Sequence, residues 1–167
     1  MSSLRLRPPR PDDERAVRAA QLELAADAFE FAFGLTGNTP WTHVLAECER
    51  QHRGTDLPPD RVPATYLLAT VGGEVVGRTS IRHTLDDRLL AEGGHIGYAV
   101  RPAHRRRGYA TEILRQSLIV ARAFGVDAAL LTCDDGNVAS ATVIERCGGV
   151  RDPDRPGEPP FRRYWIA

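Results

Sequence analysis

The sequence predicts a mixed α/β domain, a largely antiparallel sheet with helices packed on it, and three observations carry that prediction. Short runs of strand character alternate with segments whose apolar residues recur at helical spacing. The resulting order is strand–helix–helix–strand–strand–strand–helix–strand–helix–strand. Gly72-Gly73 sits between two apolar runs, the signature of a two-residue hairpin. Ala128–Cys133 is apolar without a break, as in a strand covered on both faces. At 167 residues the chain has the length of one domain, taken as 1–167.

Each element has a local reason. Residues 4–7, LRLR, alternate and read as a first strand, ended by Pro8, Pro9 and Pro11. Asp12 and Asp13 are candidate caps for a helix over 13–26, where Ala16, Val17, Ala20, Leu24 and Ala28 recur at helical spacing. An aromatic, glycine-containing segment runs from Phe29 to Pro40, and a second helix follows over 41–53. Residues 54–63 are loop. Strands over 65–71 and 74–85 flank the hairpin, 86–94 connects, and a strand covers 95–101. The helix of 109–124 places Ala110, Ile113, Leu114, Leu118 and Ala121 on one face and stops at Gly125. After the strand at 128–133, Asn137 is the N-cap of a short helix over 138–147, which Gly148-Gly149 ends. A charged, proline-rich loop over 151–160 leads to a last strand, 162–166.

Composition narrows the function. Twenty-two arginines balance twenty-two acidic residues, so no global field draws in nucleic acid. Lysine is absent throughout, the mark of GC-rich coding rather than of one site. Cys48, Cys133 and Cys147 are an odd count without metal-type spacing, and no metal site is expected. The N-terminal residues lack a signal-peptide core and no window approaches a membrane span, so a cytoplasmic location is expected.

The most informative segment is 95–114. A strand ends at Val100, Pro102 stops it, the turn Arg105-Arg106-Arg107-Gly108-Tyr109-Ala110-Thr111 follows, and a helix begins at once. Free backbone N–H groups at the positive end of a helix dipole make a phosphate site. A P-loop needs a lysine, which the chain lacks, and a dinucleotide fingerprint needs three glycines where this turn has one.

The pattern Val100-x-Pro102-x-x-Arg105-x-x-Gly108-x-Ala110 resembles the acetyl-CoA-binding motif of the GNAT superfamily of N-acetyltransferases. The resemblance extends to the surrounding element order and to Asn137-x-x-Ser140-x-x-x-x-Glu145-x-x-Gly148-Gly149, as in members acting on ribosomal proteins and antibiotics. It implies a GNAT fold whose fourth and fifth strands splay apart, with the pantetheine arm of acetyl-CoA in the gap. Tyr98, Ala99 and Val100 would then align the arm by backbone pairing. Residues 105–111, including Arg105, Arg106, Arg107, Gly108, Tyr109, Ala110 and Thr111, would hold the phosphates. Asn137 and Ser140 would face the thioester, with Ser140 as the acid; as plain structure, the two form an N-cap and its first turn.

The position six before Val100, where many members carry a glutamate base, is Gly94. Glu92, two residues further back on the same strand parity, is the substitute candidate. His95 is a second, and a water chain or an amine arriving neutral is a third. The position of the family's tyrosine acid is Ile144. Cys133 reads as a buried thiol rather than a nucleophile, and His43 and His52 as surface residues of a helix. The implied acceptor pocket draws on residues 27–62 and 151–165. Phe29, Phe31, Phe33 and Trp41 form an aromatic cluster there, and Asp27, Glu30 and Glu47 are able to attract a cation. Tyr164 and Trp165 face opposite ways, one to the site and one to the core. The implied function is acetyl transfer from acetyl-CoA to a small-molecule or peptide primary amine by direct attack, in a monomer or homodimer. A CoA-binding or CoA-sensing module without turnover is the alternative.

Overall fold

Residues 5–7, 64–71, 74–82 and 96–100 build the first half of the sheet; the last three segments are rich in β-branched or aromatic residues, while the first, Arg-Leu-Arg, is held by alternation and the prolines after it. The computed structural model of the chain describes residues 3–153 and 161–167. The elements are β1 (Arg5–Arg7), a 3-10 turn at Pro11–Asp13, α1 (Glu14–Ala25), α2 (Trp41–Arg53), β2 (Ala64–Val71), β3 (Glu74–Arg82), α3 (Asp87–Ala91) and β4 (Ile96–Val100). A second 3-10 turn, Pro102–His104, precedes α4 (Tyr109–Ala123), β5 (Ala129–Asp134), α5 (Val138–Arg146), β6 (Val150–Arg151) and β7 (Phe161–Ile166).

β1, β2, β3 and β4 form an antiparallel sheet in that order, with Leu6 opposite Ala69, Thr65 opposite Ile81 and Ser80 opposite Gly97. The hairpin between β2 and β3 turns through Gly72 and Gly73, both with positive φ (58° and 86°), as a type I′ turn requires. β5, β7 and β6 form a second antiparallel sheet, with Leu131 opposite Tyr164 and Val150 opposite Trp165.

Hydrophobic clusters cover both faces. α1 and α2 lie on one face, where Val17, Ala20, Leu24, Phe31, Trp41 and Val44 pack on Tyr66, Leu68 and Val75. α4 and α5 lie on the other, where Leu114, Leu118, Ala121, Ala141 and Ile144 meet Leu67, Ile81, Ile96, Leu131 and Tyr164. Gln116 ties β1 to α4: its amide donates to Leu4 O at 3.0 Å and accepts from Leu6 N at 3.3 Å.

The two half-sheets are joined at the start of β4, where Gly93 N–H also donates to Thr132 Oγ1 at 2.9 Å. His95 N–H donates to Leu130 O at 2.7 Å, and Leu130 N–H donates to His95 Nδ1 at 2.9 Å. Beyond it β4 and β5 form no ladder among the described residues, so the strands splay as expected. Just before this clasp the chain passes hard against β5. Gly94 has φ +60°, and a Cβ there would lie 2.8 Å from the carbonyl carbon of Leu130.

Four expectations need correction. The connection 86–94 contains a helix, α3, capped by Asp86, whose carboxylate accepts from Leu89 N at 2.8 Å. The strand expected to reach residue 85 therefore ends at Arg82. Asp13 does not cap α1; its carboxylate takes Arg7 at 2.7 Å and Arg10 N at 2.7 Å, which pins β1 to the helix entry. The loop expected over 151–160 is described only to residue 153, and Val150–Arg151 forms an unexpected short strand against β7. Among the described residues no helix is long and apolar enough to cross a membrane.

Gly94→Ala adds both a clash and a left-handed alanine, and it should cost at least about 2 kcal/mol of unfolding free energy. Gly73→Ala, at φ +86° with nothing within 4 Å, carries the left-handed penalty without the clash. Denaturant titration of both variants makes the comparison, and equal losses would mean that the Leu130 contact is readily relieved.

Candidate active site

The turn between β4 and α4 contains two left-handed residues, Arg106 (φ +60°) and Gly108 (φ +80°), and Gly108 directly precedes α4. Left-handed residues spaced through a turn bring successive N–H groups onto one concavity, and the first N–H groups of α4 add the positive helix end. Arg105 through Gly108 are exposed, and a Cβ on Gly108 would meet nothing within 4 Å. Its glycine serves the backbone angle and open space, not a protein contact. The arginines divide. Arg105 donates to Asp27 at 2.6 Å and to Val100 O at 3.2 Å, while Arg106 and Arg107 have no partner among the described residues. Tyr109, Ala110 and Thr111 form the first turn of α4.

β4 leads from the splay to this turn. Its register with β3, with Arg82 N bonded to His95 O and Arg101 N to Val76 O, points the main-chain groups of Gly97 and Ala99 toward β3. Those of Tyr98 and Val100 face the gap. The alternation thus leaves both main-chain groups of Tyr98 and the N–H of Val100 toward the gap, the Val100 carbonyl accepting from Arg105, while the Ala99 side chain packs toward α1 and α2.

Across the gap, Asn137 caps α5, its carboxamide oxygen accepting from Ser140 N at 3.1 Å. Ser140 Oγ lies 3.0 Å from the Tyr98 hydroxyl, so one hydrogen bond spans from β4 to α5. Burial pushes Tyr98 up to about 12, which keeps it protonated and a donor. Tyr98 was expected to act through its backbone alone. Its parity with the core residue Ile96 was the available sign that its side chain reaches the α5 side. Ile144 is 1% exposed within the core and offers nothing to the gap. Cys133 is buried, and burial raises its thiol above the ordinary value.

The expected bases fare differently. Glu92 is not on the strand: it follows α3 in an exposed turn, and positive φ at Gly93 and Gly94 breaks the alternation that was to aim it. Gly94 is held glycine by the Leu130 backbone. His95 accepts through Nδ1, so its ring is neutral there. Burial, then the charge of Arg82, lowers its pKa.

On the α1–α2 face of β4 lie two residues that motif reasoning missed. Arg78 is 2% exposed. Its guanidinium donates to Gly97 O at 3.2 Å and Glu30 O at 2.8 Å, and lies 4.6 Å from the Phe29 ring and 5.0 Å from Phe33. Burial pushes it down to about 10. Arg82 donates to Gly93 O and Gly94 O at 3.2 and 3.0 Å. A charged residue at an inward position of the alternating run EVVGRTSIR was the signal available in the sequence. The carboxylates expected to attract a cation are engaged: Asp27 with Arg105, Glu30 with Gly34 N, Glu47 with Arg50. Phe31 and Trp41 belong to the core, as does Tyr164 at 1% exposure; Trp165 is only partly buried and donates to Asp152 at 3.0 Å. His52, exposed as expected, also bonds Thr65 Oγ1 at 2.9 Å. Among the described residues no cluster of His, Cys, Asp and Glu is arranged to hold a metal ion.

Because the folded state lowers the His95 pKa, the unfolded chain takes up the proton first as pH falls. Stability should be full above about pH 6.5 and decline from there toward the lowered value. His83, also lowered by burial, adds a contribution of the same sign. Denaturant midpoints from pH 8 to 5 should fall, and His95→Gln should flatten the decline. An unchanged slope in that variant would assign the effect to His83.

Comparisons agree with this geometry. The family model described as "Acetyltransferase (GNAT) domain" matches residues 3–150. No curated protein matches the sequence. Among solved structures, an acetyltransferase from Agrobacterium tumefaciens superposes with TM-score 0.67 at 22% identity, covering 100% of this chain and 92% of that one. Mycobacterium smegmatis RimJ, in complex with CoA-disulfide, gives 0.71 at 18% identity, covering 98% and 81%. Salmonella typhimurium yncA, with its cofactor acetyl-CoA, gives 0.60 at 17% identity, covering 97% and 91%. At these identities the likenesses speak to the fold, and the family match over most of the chain decides the rest: the chain belongs to the GNAT acetyltransferase family.

Proposed function

We propose that the protein transfers the acetyl group of acetyl-CoA to a primary amine by direct attack in a ternary complex. The observation that carries this reading is the continuous path from the exposed turn at 105–108, along the free edge of β4, to the Tyr98–Ser140 hydroxyl pair. Acetyl-CoA supplies an activated thioester. The N–H groups of 106–111, with the Arg106 and Arg107 side chains, hold its phosphates; the main chain of Tyr98 and Val100 aligns its arm. Ser140 donates a hydrogen bond to the departing sulfur, and Tyr98, donating to Ser140 Oγ, leaves the serine proton free for that role. Among the described residues no carboxylate or imidazole is hydrogen-bonded to the Tyr98–Ser140 pair, and the amine attacks in its neutral form and gives its proton to water.

A catalytically silent CoA-binding module is favoured by one pair of observations: Gly94 and Ile144 both have structural duties. Thiol release from acetyl-CoA in the presence of an amine panel separates the two readings.

Gly108→Asp should abolish CoA binding by calorimetry while the melting temperature changes little, because the site is open and aspartate tolerates a positive φ. Gly108→Asn, uncharged, should retain most of the affinity; equal affinity in both variants would remove the phosphates from this turn. Ser140→Ala should lower kcat about 10–100-fold with a small change in the KM for acetyl-CoA. Tyr98→Phe should act in the same direction and more weakly. An unchanged kcat in both would leave the pair as a structural bridge.

A further inference from the structure

Arg78 and Arg82 are two neighbouring arginines of β3 whose guanidiniums form no ion pair with a carboxylate among the described residues. The Cβ direction of Gly97, on the α1–α2 face of β4, points at both: the Arg78 Nη1 lies 3.8 Å from a Cβ built there, and the Arg82 Nη1 and Nη2 lie 3.9 and 4.0 Å away. Every acceptor they have among the described residues is a main-chain carbonyl. The Arg78 Nε is buried and without any partner. Burying a guanidinium costs several kcal/mol unless an anion or a full set of hydrogen bonds offsets it. Two together add mutual repulsion. The chain solves the same problem elsewhere with a carboxylate, pairing Arg7 with Asp13 and Arg101 with Glu23. Around Gly97 no carboxylate among the described residues reaches hydrogen-bond distance, and Glu30 and Asp86 act on the two guanidiniums only through space.

We infer that this pair binds an anionic group of the acceptor, and that the acceptor is an amine bearing a carboxylate close to its nitrogen. The inference rests on the acetyl-transfer reading and names the substrate class for the same site. Gly97 lies in the strand proposed to align the thioester, next to the pairing position Tyr98, so a carboxylate above it keeps an adjacent amine near the acyl group. A planar carboxylate matches the fork of a guanidinium. Phe29, Phe33 and Tyr66 surround the Arg78 guanidinium, and Phe33 is 38% exposed, so its aromatic cover reaches the surface. Phe33 and Tyr66, which cover Arg78, also line a neighbouring cavity of about 180 Å³ with Thr39, His43, Glu47 and Gln51; Arg78, Arg82 and Gly97 do not line it. The aromatic segment 29–33 thus covers a cation of the protein rather than caging a cation of the substrate.

The test uses the full chain with acetyl-CoA and matched pairs: L-leucine with L-leucinamide, and L-phenylalanine with L-phenylalaninamide. Thiol release gives turnover, and calorimetry on the CoA-loaded protein gives binding of each amine. The carboxylates are expected to exceed their amides at least about tenfold in kcat/KM and in affinity. Arg82→Gln should reduce that preference below about threefold, and Arg82→Lys, which keeps the charge and loses the fork, should fall between. Amides that bind and react as well as the carboxylates overturn the inference and leave acetyl transfer standing. Carboxylate-selective binding with no thiol release from any amine supports the anion site and overturns the transferase reading instead.

Discussion

Two hydrogen bonds between His95 and Leu130 hold this fold in its working shape. One is an ordinary main-chain bond; in the other an imidazole nitrogen takes the place of a carbonyl. Together they give the start of β4 a hold on β5 without committing the next residue to a ladder. A complete parallel ladder would close the gap, and no contact would leave two sheets to drift apart. The histidine permits a third arrangement, strands fastened at one end and open at the other. Gly94 makes it possible by letting the preceding chain lie directly against Leu130.

The open end then decides where charge can go. On the α4 side β4 runs to a turn carrying two exposed arginines without a partner among the described residues. On the α1–α2 side the same strand is flanked by two arginines, Arg78 buried and Arg82 partly buried. A single five-residue strand therefore separates a surface cationic site from an interior one. The surface site suits an anion that arrives with its own hydration and leaves again. The interior one suits an anion that surrenders its water, which makes it the more selective of the two.

Much of this was legible in the sequence. The hairpin at Gly72-Gly73, the helix at 41–53 and the turn before Tyr109 are set by local signals, so they emerged with nearly the observed bounds. Asn137 and Ser140 appeared with their spacing because a helix cap is a local device. What stayed hidden depends on contacts between distant segments. Glu92 looked like a strand residue because nothing local announces that Gly93 and Gly94 turn left-handed against Leu130. The Tyr98–Ser140 bond joins residues 42 apart in sequence, and Arg78 meets Glu30 across 48. Asp13 kept the position of a helix cap but not its task, because Arg7 competed for the carboxylate and won.

The tight crossing at Gly94 also bears on how this chain can change over generations. From a GGA or GGG codon a glutamate at that position is one base change away. The step does not deliver a working base, because the new side chain first has to displace the backbone of β5. Two coordinated changes, one in each half-sheet, are needed before a carboxylate there is tolerated. The accessible variation lies instead in the segment between α1 and α2, where residues such as Gly34 and Gly37 have nothing within 4 Å. Lineages descending from this sequence are therefore expected to diversify in what they acetylate before they diversify in how they do it.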